Sequence, residues 1–361
     1  MPSTTMKLMF GFVGVLLSTN SSIAHEAPAV SADDLAPIPV YAHSDKPSGG
    51  AAARKAAAGF LTSLSDTQRA KIQMPLDDPL RASGWSNLPA VYLERPGLNL
   101  GELNADQRAH LFAFLSASLT PEGYERVGDI IAGEAYLSND PDAELYQWAP
   151  KNYWLAFFGE ISGQGRWAWQ FGGHHLGLNV SIENDAVNSL SPSFVGTEPA
   201  VFTYKGVEYA NVRDMHVAGF ALYDVLSEKN KLRATLHSVP ADVVTGPGKD
   251  GLEVPQVGVL GRHLTTDQRT QLLELIALWV KIQPDENAVQ RMAELEEEID
   301  QIGFAWAGSP KNNEEAYFRI QGPTLIIELK SDGNNVGQTA KGKGHYHTIY
   351  RNPKREYGQS D

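Results

Sequence analysis

The chain of 361 residues contains no cysteine. Disulfide bonds and thiolate metal ligands are therefore excluded, and any metal ion must be bound by histidine, aspartate or glutamate. The sequence also lacks a cluster of basic residues, and its formal net charge is -13 at pH 7. Because nucleic-acid binding needs a concentrated positive surface, we expect no nucleic-acid partner.

Several familiar catalytic motifs are missing as well. The sequence has no Gly-x-Ser-x-Gly elbow, no His-Glu-x-x-His helix, no phosphate-binding glycine-lysine loop and no dinucleotide-binding glycine pattern. These absences argue against the common hydrolase, zinc protease and nucleotide-binding classes.

The N-terminus has the pattern of an export signal. A lysine precedes the apolar run 8–17, and small residues predict cleavage after Ala24. The run is shorter than the roughly 20 residues that a membrane-spanning helix needs. We therefore predict a signal peptide over 1–24, a flexible linker over 25–50 and export to the periplasm or the extracellular space, with no membrane association after cleavage. A role for His25 as the mature N-terminus is left open.

Three phrases predict helix starts. Each has a leucine, a good N-cap residue and, three residues after the cap, a glutamine that can reach back to the amide of the cap. The phrases begin at Leu64, Leu103 and Leu264. Capping explains the repetition without an internal repeat.

The distribution of helical and strand-forming segments indicates the fold class. Aromatic and β-branched segments over about 153–212 and 316–351 predict strands, and helical patterns precede and separate these two blocks. We predict an α+β fold with a central, mostly antiparallel sheet and helices packed around it. No linker-like break interrupts 51–358, which we expect to form a single domain.

The segment Arg166–Val180 concentrates aromatic residues, glycines and two adjacent histidines. We interpret it as the central strand. Strict alternation would direct His174 and His175 to opposite faces. Gly172 and Gly173 indicate a bulge or a close backbone approach, and a bulge would bring both imidazoles to one side.

A second pair of histidines lies near the C-terminus. Alternation puts His345, His347 and Arg351 on one face of a strand, and two imidazoles at positions i and i+2 can bind one ion. Glu328 lies among aliphatic residues of a preceding strand, where a buried carboxylate needs a partner such as an arginine or a metal ion.

The chain resembles the family called domain of unknown function 3500. The resemblance covers roughly residues 54–358, and it implies that the matching segments belong to one fold and one site without implying a reaction. His216 stands where such sequences have an acidic residue, and it is not assigned to the site. The matching segments and residues are Gly172–Asn179, Ile320–Glu328, His345–Pro353, Tyr357-Gly358, Asp77-Asp78, Arg81, Trp85, Arg95 and Gln107-Arg108.

Our first hypothesis is an exported metalloenzyme that acts on a small-molecule substrate and binds one transition-metal ion. An all-nitrogen site suits zinc, copper or iron, so the protein would be a hydrolase with zinc and an oxidoreductase with copper or iron. Glu328 would orient a ligand or act as the base, and Arg351 would bind an anionic group of the substrate. The candidate ligands are His174, His175, His345 and His347.

Our second hypothesis is a non-catalytic exported protein that binds a ligand or stores a metal ion. Trp85, Trp167 and Trp169 would then form an aromatic floor for a sugar or another planar ligand, although tryptophans in such alternation more often belong to a core. Asp78 belongs to an Asp-Asp-Pro phrase, which is typical of a turn and alternatively lines the site.

Two further interpretations stay open at this point. The histidines could serve only as hydrogen-bonding partners within the sheet. Alternatively, His175, Glu328 and Arg351 could form a metal-free acid–base site, since a carboxylate can bring the pKa of a histidine near neutrality.

Overall fold

The computed structural model describes residues 48–311, 314–333 and 344–359. The predicted signal peptide over 1–24 and nearly all of the predicted linker over 25–50 lie outside the described residues. Among the helices of the described residues, none combines the length and the hydrophobicity that a membrane span requires.

Helices and strands are arranged in blocks, as an α+β fold requires. The helices are α1 (Gly50–Ser63), α2 (Asp66–Ile72), α3 (Leu80–Ser83), α4 (Ala105–Ser118), α5 (Pro121–Leu137), α6 (Ala143–Tyr146), α7 (Arg213–Asp224), α8 (Glu228–Ala234), α9 (Thr266–Val280) and α10 (Asp285–Glu297). The strands are β1 (Gln73–Met74), β2 (Leu98–Asn99), β3 (Tyr153–Phe158), β4 (Arg166–Gly173), β5 (Leu176–Glu183), β6 (Ala186–Thr197), β7 (Phe202–Tyr204), β8 (Val207–Tyr209), β9 (Val259–Leu260), β10 (Gly303–Gly308), β11 (Ala316–Gly322), β12 (Leu325–Ser331) and β13 (Tyr346–Arg351).

One large sheet of 11 strands organises the described chain, and β7 and β8 form a separate hairpin. Its order is β1-β3-β4-β5-β6-β13-β12-β11-β10-β9, with β2 also paired to β3, and only β1 and β3 pair in parallel among these neighbours. The last strand, β13, lies between β6 and β12 and so joins the two strand blocks. The predicted α+β class with a mostly antiparallel sheet is confirmed.

The segment Arg166–Val180 is not one strand. It forms the hairpin β4–β5, in which His174 and His175 are the two turn residues. The predicted close approach is present, because a β-carbon on Gly172 would lie 2.5 Å from the Leu176 carbonyl oxygen and one on Gly173 would lie 2.5 Å from that of Asn152. Alternation continues through a two-residue turn, so the hydrophobic pattern alone does not reveal the reversal.

The helix starts follow the sequence closely. Capping boxes are present at Ser65, Asn104 and Thr265, each with the glutamine three residues later. The predicted strand block up to residue 212 contains only the short hairpin β7–β8 after residue 197, and the sequence did not predict β10.

The main core lies on the face of the sheet that carries the aromatic residues of β3 and β4. Trp169 and Phe157 both contact Phe114 of α4 edge to face, with ring centroids 5.4 and 5.2 Å apart. Such pairs stabilise a core beyond the area that they bury. The aromatic side chains of β4 therefore pack against the helices. The β4–β5 turn lies at the end of this strand and carries two histidines of the candidate site.

Candidate metal centre

His175 reaches the site because the chain reverses at that residue. Its φ of 61° lies in the left-handed region. Its backbone N–H donates to the Asn87 carbonyl at 3.1 Å, and its carbonyl accepts from the Gly196 amide at 2.8 Å. A β-carbon on Gly196 would lie 3.0 Å from His175 Cδ2, so the imidazole packs directly on the backbone of β6.

His345 and His347 are brought to the same place by β13. His347 lies opposite Gly196 of β6, and His345 directly precedes the strand. One ring nitrogen from each of His175, His345 and His347 lies within 4.8 Å of the other two, and His175 Nε2 is 3.0 Å from His345 Nε2. Ligand atoms around a tetrahedral ion with bonds of about 2.1 Å are about 3.4 Å apart. The His175–His345 pair is already near this spacing, and the widest pair needs to close by at most about 1.4 Å for the three rings to share one ion.

Two carboxylates set the tautomers of the C-terminal pair. His345 Nδ1 lies 3.3 Å from Asp332 Oδ2, and His347 Nδ1 lies 2.8 Å from Asp242 Oδ1. Because a carboxylate only accepts hydrogen bonds, each Nδ1 carries the hydrogen, and Nε2 of the neutral ring keeps its lone pair. This carboxylate–histidine arrangement is the one that metal-binding histidines usually show.

Burial is the largest influence on the pKa values of these rings. It lowers the pKa of His175 well below the usual value, and the neighbouring histidines lower it further. Burial also lowers the pKa of His347 more than Asp242 raises it. For His345, burial is outweighed by the hydrogen bond to Asp332 and by nearby carboxylates, so the pKa is raised. His175 and His347 thus favour the neutral form that binds metals, whereas at His345 a proton competes with the metal ion.

His174 is close to this group but differs from it in its partners. Its Nδ1 donates to Glu134 Oε2 of α5 at 2.8 Å, and both side chains are buried. Its ring stacks on that of His175 with centroids 3.7 Å apart, and its plane is within 13° of that of Trp148 at 6.2 Å. Of the four predicted ligands, three therefore converge, and His174 lies beside them as a cavity wall.

A cavity of about 540 Å³ opens at these histidines. This volume suits a small-molecule site. Its wall combines carboxylates, apolar residues and aromatic rings. The lining residues are Asn87, Leu88, Pro89, Tyr92, Asp140, Pro141, Asp142, Tyr146, Trp148, His174, His175, Glu198, His345 and His347.

The structure does not bring Glu328 to the cavity. Glu328 is 0% exposed, and its carboxylate accepts hydrogen bonds from the Val244 amide at 2.6 Å, the Thr245 amide at 2.8 Å, the Thr245 hydroxyl and the Tyr317 hydroxyl at 2.7 Å. The partner of this buried carboxylate is therefore a loop and a tyrosine, instead of a metal ion or a substrate. That loop follows Asp242, the carboxylate that orients His347.

Arg351 holds the next part of the same loop. Its guanidinium donates to the carbonyls of Thr245 at 2.6 Å and Gly246 at 3.0 Å, and to the carboxylates of Asp250 at 2.9 Å and Glu356 at 2.5 Å. The group is 2% exposed and occupied by protein acceptors, so it is not available to an anionic substrate.

The predicted aromatic floor and Asp78 also lie away from the cavity. Trp85 is buried, lies against Gly177 and donates through Nε1 to the Tyr357 hydroxyl at 3.0 Å. Trp167 and Trp169 belong to the main core, where they are 0% and 1% exposed. Asp78 accepts from the Leu80 amide at 2.9 Å, which is the turn role that its sequence context favours.

Several acidic residues that line the cavity or contact its histidines gave no signal in the sequence. Asp242 and Asp332 stand in irregular segments, and Glu198 stands in a proline-containing stretch, where acidic residues are common without any function. Glu134 lies on the amphipathic helix α5, so its only sequence signal is an acidic residue at a position where the helix is buried. A pattern of this kind becomes interpretable only once a histidine is known to face it.

Comparisons with known proteins match the same part of the chain that forms the fold described above. A family model described as protein of unknown function (DUF3500) matches residues 48–359. Searches of curated proteins and of solved structures give no match. The matched segment includes every strand and helix described above, together with the three converging histidines. The chain belongs to the DUF3500 family.

Proposed function

We propose that the protein is an exported, metal-dependent enzyme that binds one transition-metal ion through His175, His345 and His347 and acts on a small molecule in the adjacent cavity. The observation that carries the proposal is the convergence of three imidazoles at a cavity, two of them with tautomers set by carboxylates. Three protein ligands and access from a cavity are typical of catalytic metal sites, whereas structural sites are closed by a fourth protein ligand.

The donor set consists only of imidazoles, which suits zinc, copper or iron. When bound, zinc would supply Lewis-acid activation for hydrolysis, and copper or iron would supply redox chemistry. Asp242 and Asp332 would hold two of the imidazoles in the binding tautomer. His174, held by Glu134, would present its ring to the bound substrate. Glu328 and Arg351 would act indirectly by holding the loop that carries Asp242.

Elemental analysis of the tag-free protein, followed by titration with zinc, copper and iron(II), tests the proposal. We expect close to one ion per chain, and loss of that ion when His175, His345 and His347 are all replaced by alanine. His110→Ala, at an exposed position of α4, is the matched control and should keep the ion. A metal-free protein with no affinity for added ions would refute the proposal.

Substitution with cobalt(II) distinguishes an enzyme from a protein that only stores metal. If a coordination position is open to the cavity, added azide will change the visible spectrum of the cobalt protein. A spectrum that does not respond to azide would favour the second hypothesis, a non-catalytic ligand- or metal-binding protein.

A further inference from the structure

We propose that the ligand of this cavity is a small organic cation, with an ammonium group bound by Glu198 and an apolar part packed on an aromatic wall. The inference rests on the proposed function, because it concerns the substrate of the same site. It depends on three features of the described part of the cavity: a carboxylate without a partner among the described residues, an excess of negative charge among the described lining residues and a set of adjacent aromatic rings.

Glu198 is the carboxylate that would pair with the ammonium group of the ligand. It lines the cavity at the end of β6 and is half-buried. Within the described part of the chain its side chain has no hydrogen bond or salt bridge, although its charge acts on His345. A half-buried carboxylate without a partner is costly, and a ligand cation would remove that cost.

The charges around the cavity also favour a cation. Asp242 and Asp332 contact the metal-binding histidines. Together with Glu315 they would balance a divalent ion and Lys330, which pairs with both Asp332 and Glu315. Asp140, Asp142 and Glu198 then remain, and none of the described lining residues is a lysine or an arginine. An anionic ligand would therefore meet three carboxylates with no lysine or arginine among the described lining residues, whereas a cation would be attracted by them.

Aromatic rings provide the apolar part of the wall. Tyr146 stacks on Trp148 with ring centroids 4.8 Å apart, and Tyr92 meets Tyr146 at 6.5 Å with a tilt of 46°. Tyr92 is 60% exposed, so this open corner of two tyrosine rings lies at the mouth of the cavity. A corner of aromatic faces next to carboxylates is the arrangement that binds ammonium groups in other proteins.

Three probes of the same shape test the charge preference directly. They are choline, the uncharged 3,3-dimethylbutan-1-ol and the anion 3,3-dimethylbutanoate, and their affinities are measured by calorimetry on metal-free and on zinc-loaded protein. Because the quaternary ammonium group cannot coordinate a metal and both choline and the alcohol carry the same hydroxyl, the difference between their affinities reports the charge of the probe and not coordination to the ion. We expect choline to bind about tenfold or more tighter than the uncharged alcohol in both forms. We expect the anion to bind most weakly in the metal-free form.

Substitutions then assign the preference to residues. Glu198→Gln should remove most of the preference for choline and leave the affinity of the alcohol unchanged, whereas Tyr146→Leu should weaken both probes. Glu160→Gln, at an exposed position away from the cavity, is the control. Equal affinities for choline and the alcohol, no saturable binding of choline, or a preference that survives Glu198→Gln would each overturn the inference.

The outcome is separable from that of the metal proposal. A protein that binds no ion but selects choline through Glu198 would contradict the metal proposal alone. A protein that loads one ion at the three histidines but binds the uncharged alcohol as tightly as choline would contradict the cation inference alone.

Discussion

Replacing Glu328 by glutamine separates an anchoring role from a catalytic one. Its two carboxylate oxygens accept four hydrogen bonds, two of them from the backbone amides of Val244 and Thr245. The amide nitrogen of glutamine cannot accept a hydrogen bond, so at least one buried backbone donor must lose its acceptor, and one hydroxyl must rotate away. At about 1–3 kcal/mol for each buried group left unpaired, we expect a loss of about 2–5 kcal/mol in the free energy of unfolding.

Urea unfolding of the metal-free protein measures this loss, provided that the dependence on urea concentration is the same for both proteins. The matched control is Glu183→Gln on β5, whose carboxylate is 36% exposed and pairs with Arg166 at 2.9 Å. An exposed pair contributes at most about 1 kcal/mol. If Glu328→Gln changes stability no more than the control does, the anchoring argument is wrong, and the catalytic role predicted from the sequence must be reconsidered.

Three further predictions concern the support of the histidines. Asp242→Asn should weaken zinc binding about 10–100-fold in a chelator competition, because the group that orients His347 is altered; an unchanged affinity would contradict this. Gly196→Ala should weaken zinc binding as well, since the new β-carbon would lie 2.9 Å from the Tyr346 carbonyl and 3.0 Å from His175 Cδ2, and unchanged affinity would show that the ring is free to move. Burial lowers the pKa of His216 to about 4. As the pH falls, the unfolded chain therefore takes up a proton at this residue before the folded chain does. The free energy of unfolding should decrease between about pH 6.5 and pH 4. The full loss is about 3 kcal/mol, and His216→Phe should flatten this part of the pH profile in urea unfolding; an unaltered profile would exclude His216 as the cause.

Features that depend on near neighbours in the sequence were predictable. The capping boxes at Ser65, Asn104 and Thr265 need only a cap residue and a glutamine three residues later. The common placement of His345 and His347 follows from the two-residue period of a strand. The relative positions of the residues in such patterns can be predicted, because the backbone of one helical turn or one strand fixes them.

Features that depend on distant partners were not predictable. The Asp242 carboxylate is 105 residues from His347 in the sequence, and nothing at either position indicates the other. Glu328 was expected to need a partner, and it has one, but the loop amides that bind it have no side-chain signal. Trp169 was ambiguous because a core and a ligand platform select the same aromatic residues, and packing against Phe114 decided for the core.

The hydrogen-bonding state of the histidines themselves favours an ion at the site. His175 is buried, and its Nε2 has His345 Nε2 as a neighbour at 3.0 Å. Only one hydrogen fits between these two nitrogens, so without an ion His175 Nε2 must carry it and donate to His345 Nε2, while the nearby His347 keeps a lone pair. One ion that bonds to all three nitrogens would satisfy them together, and the hydrogen of the His175 ring would move to its Nδ1. The folded state would then be stabilised by about 4 kcal/mol at an ion concentration 1,000 times the dissociation constant, so metal should raise the free energy of unfolding of this chain and leave that of the triple alanine variant unchanged.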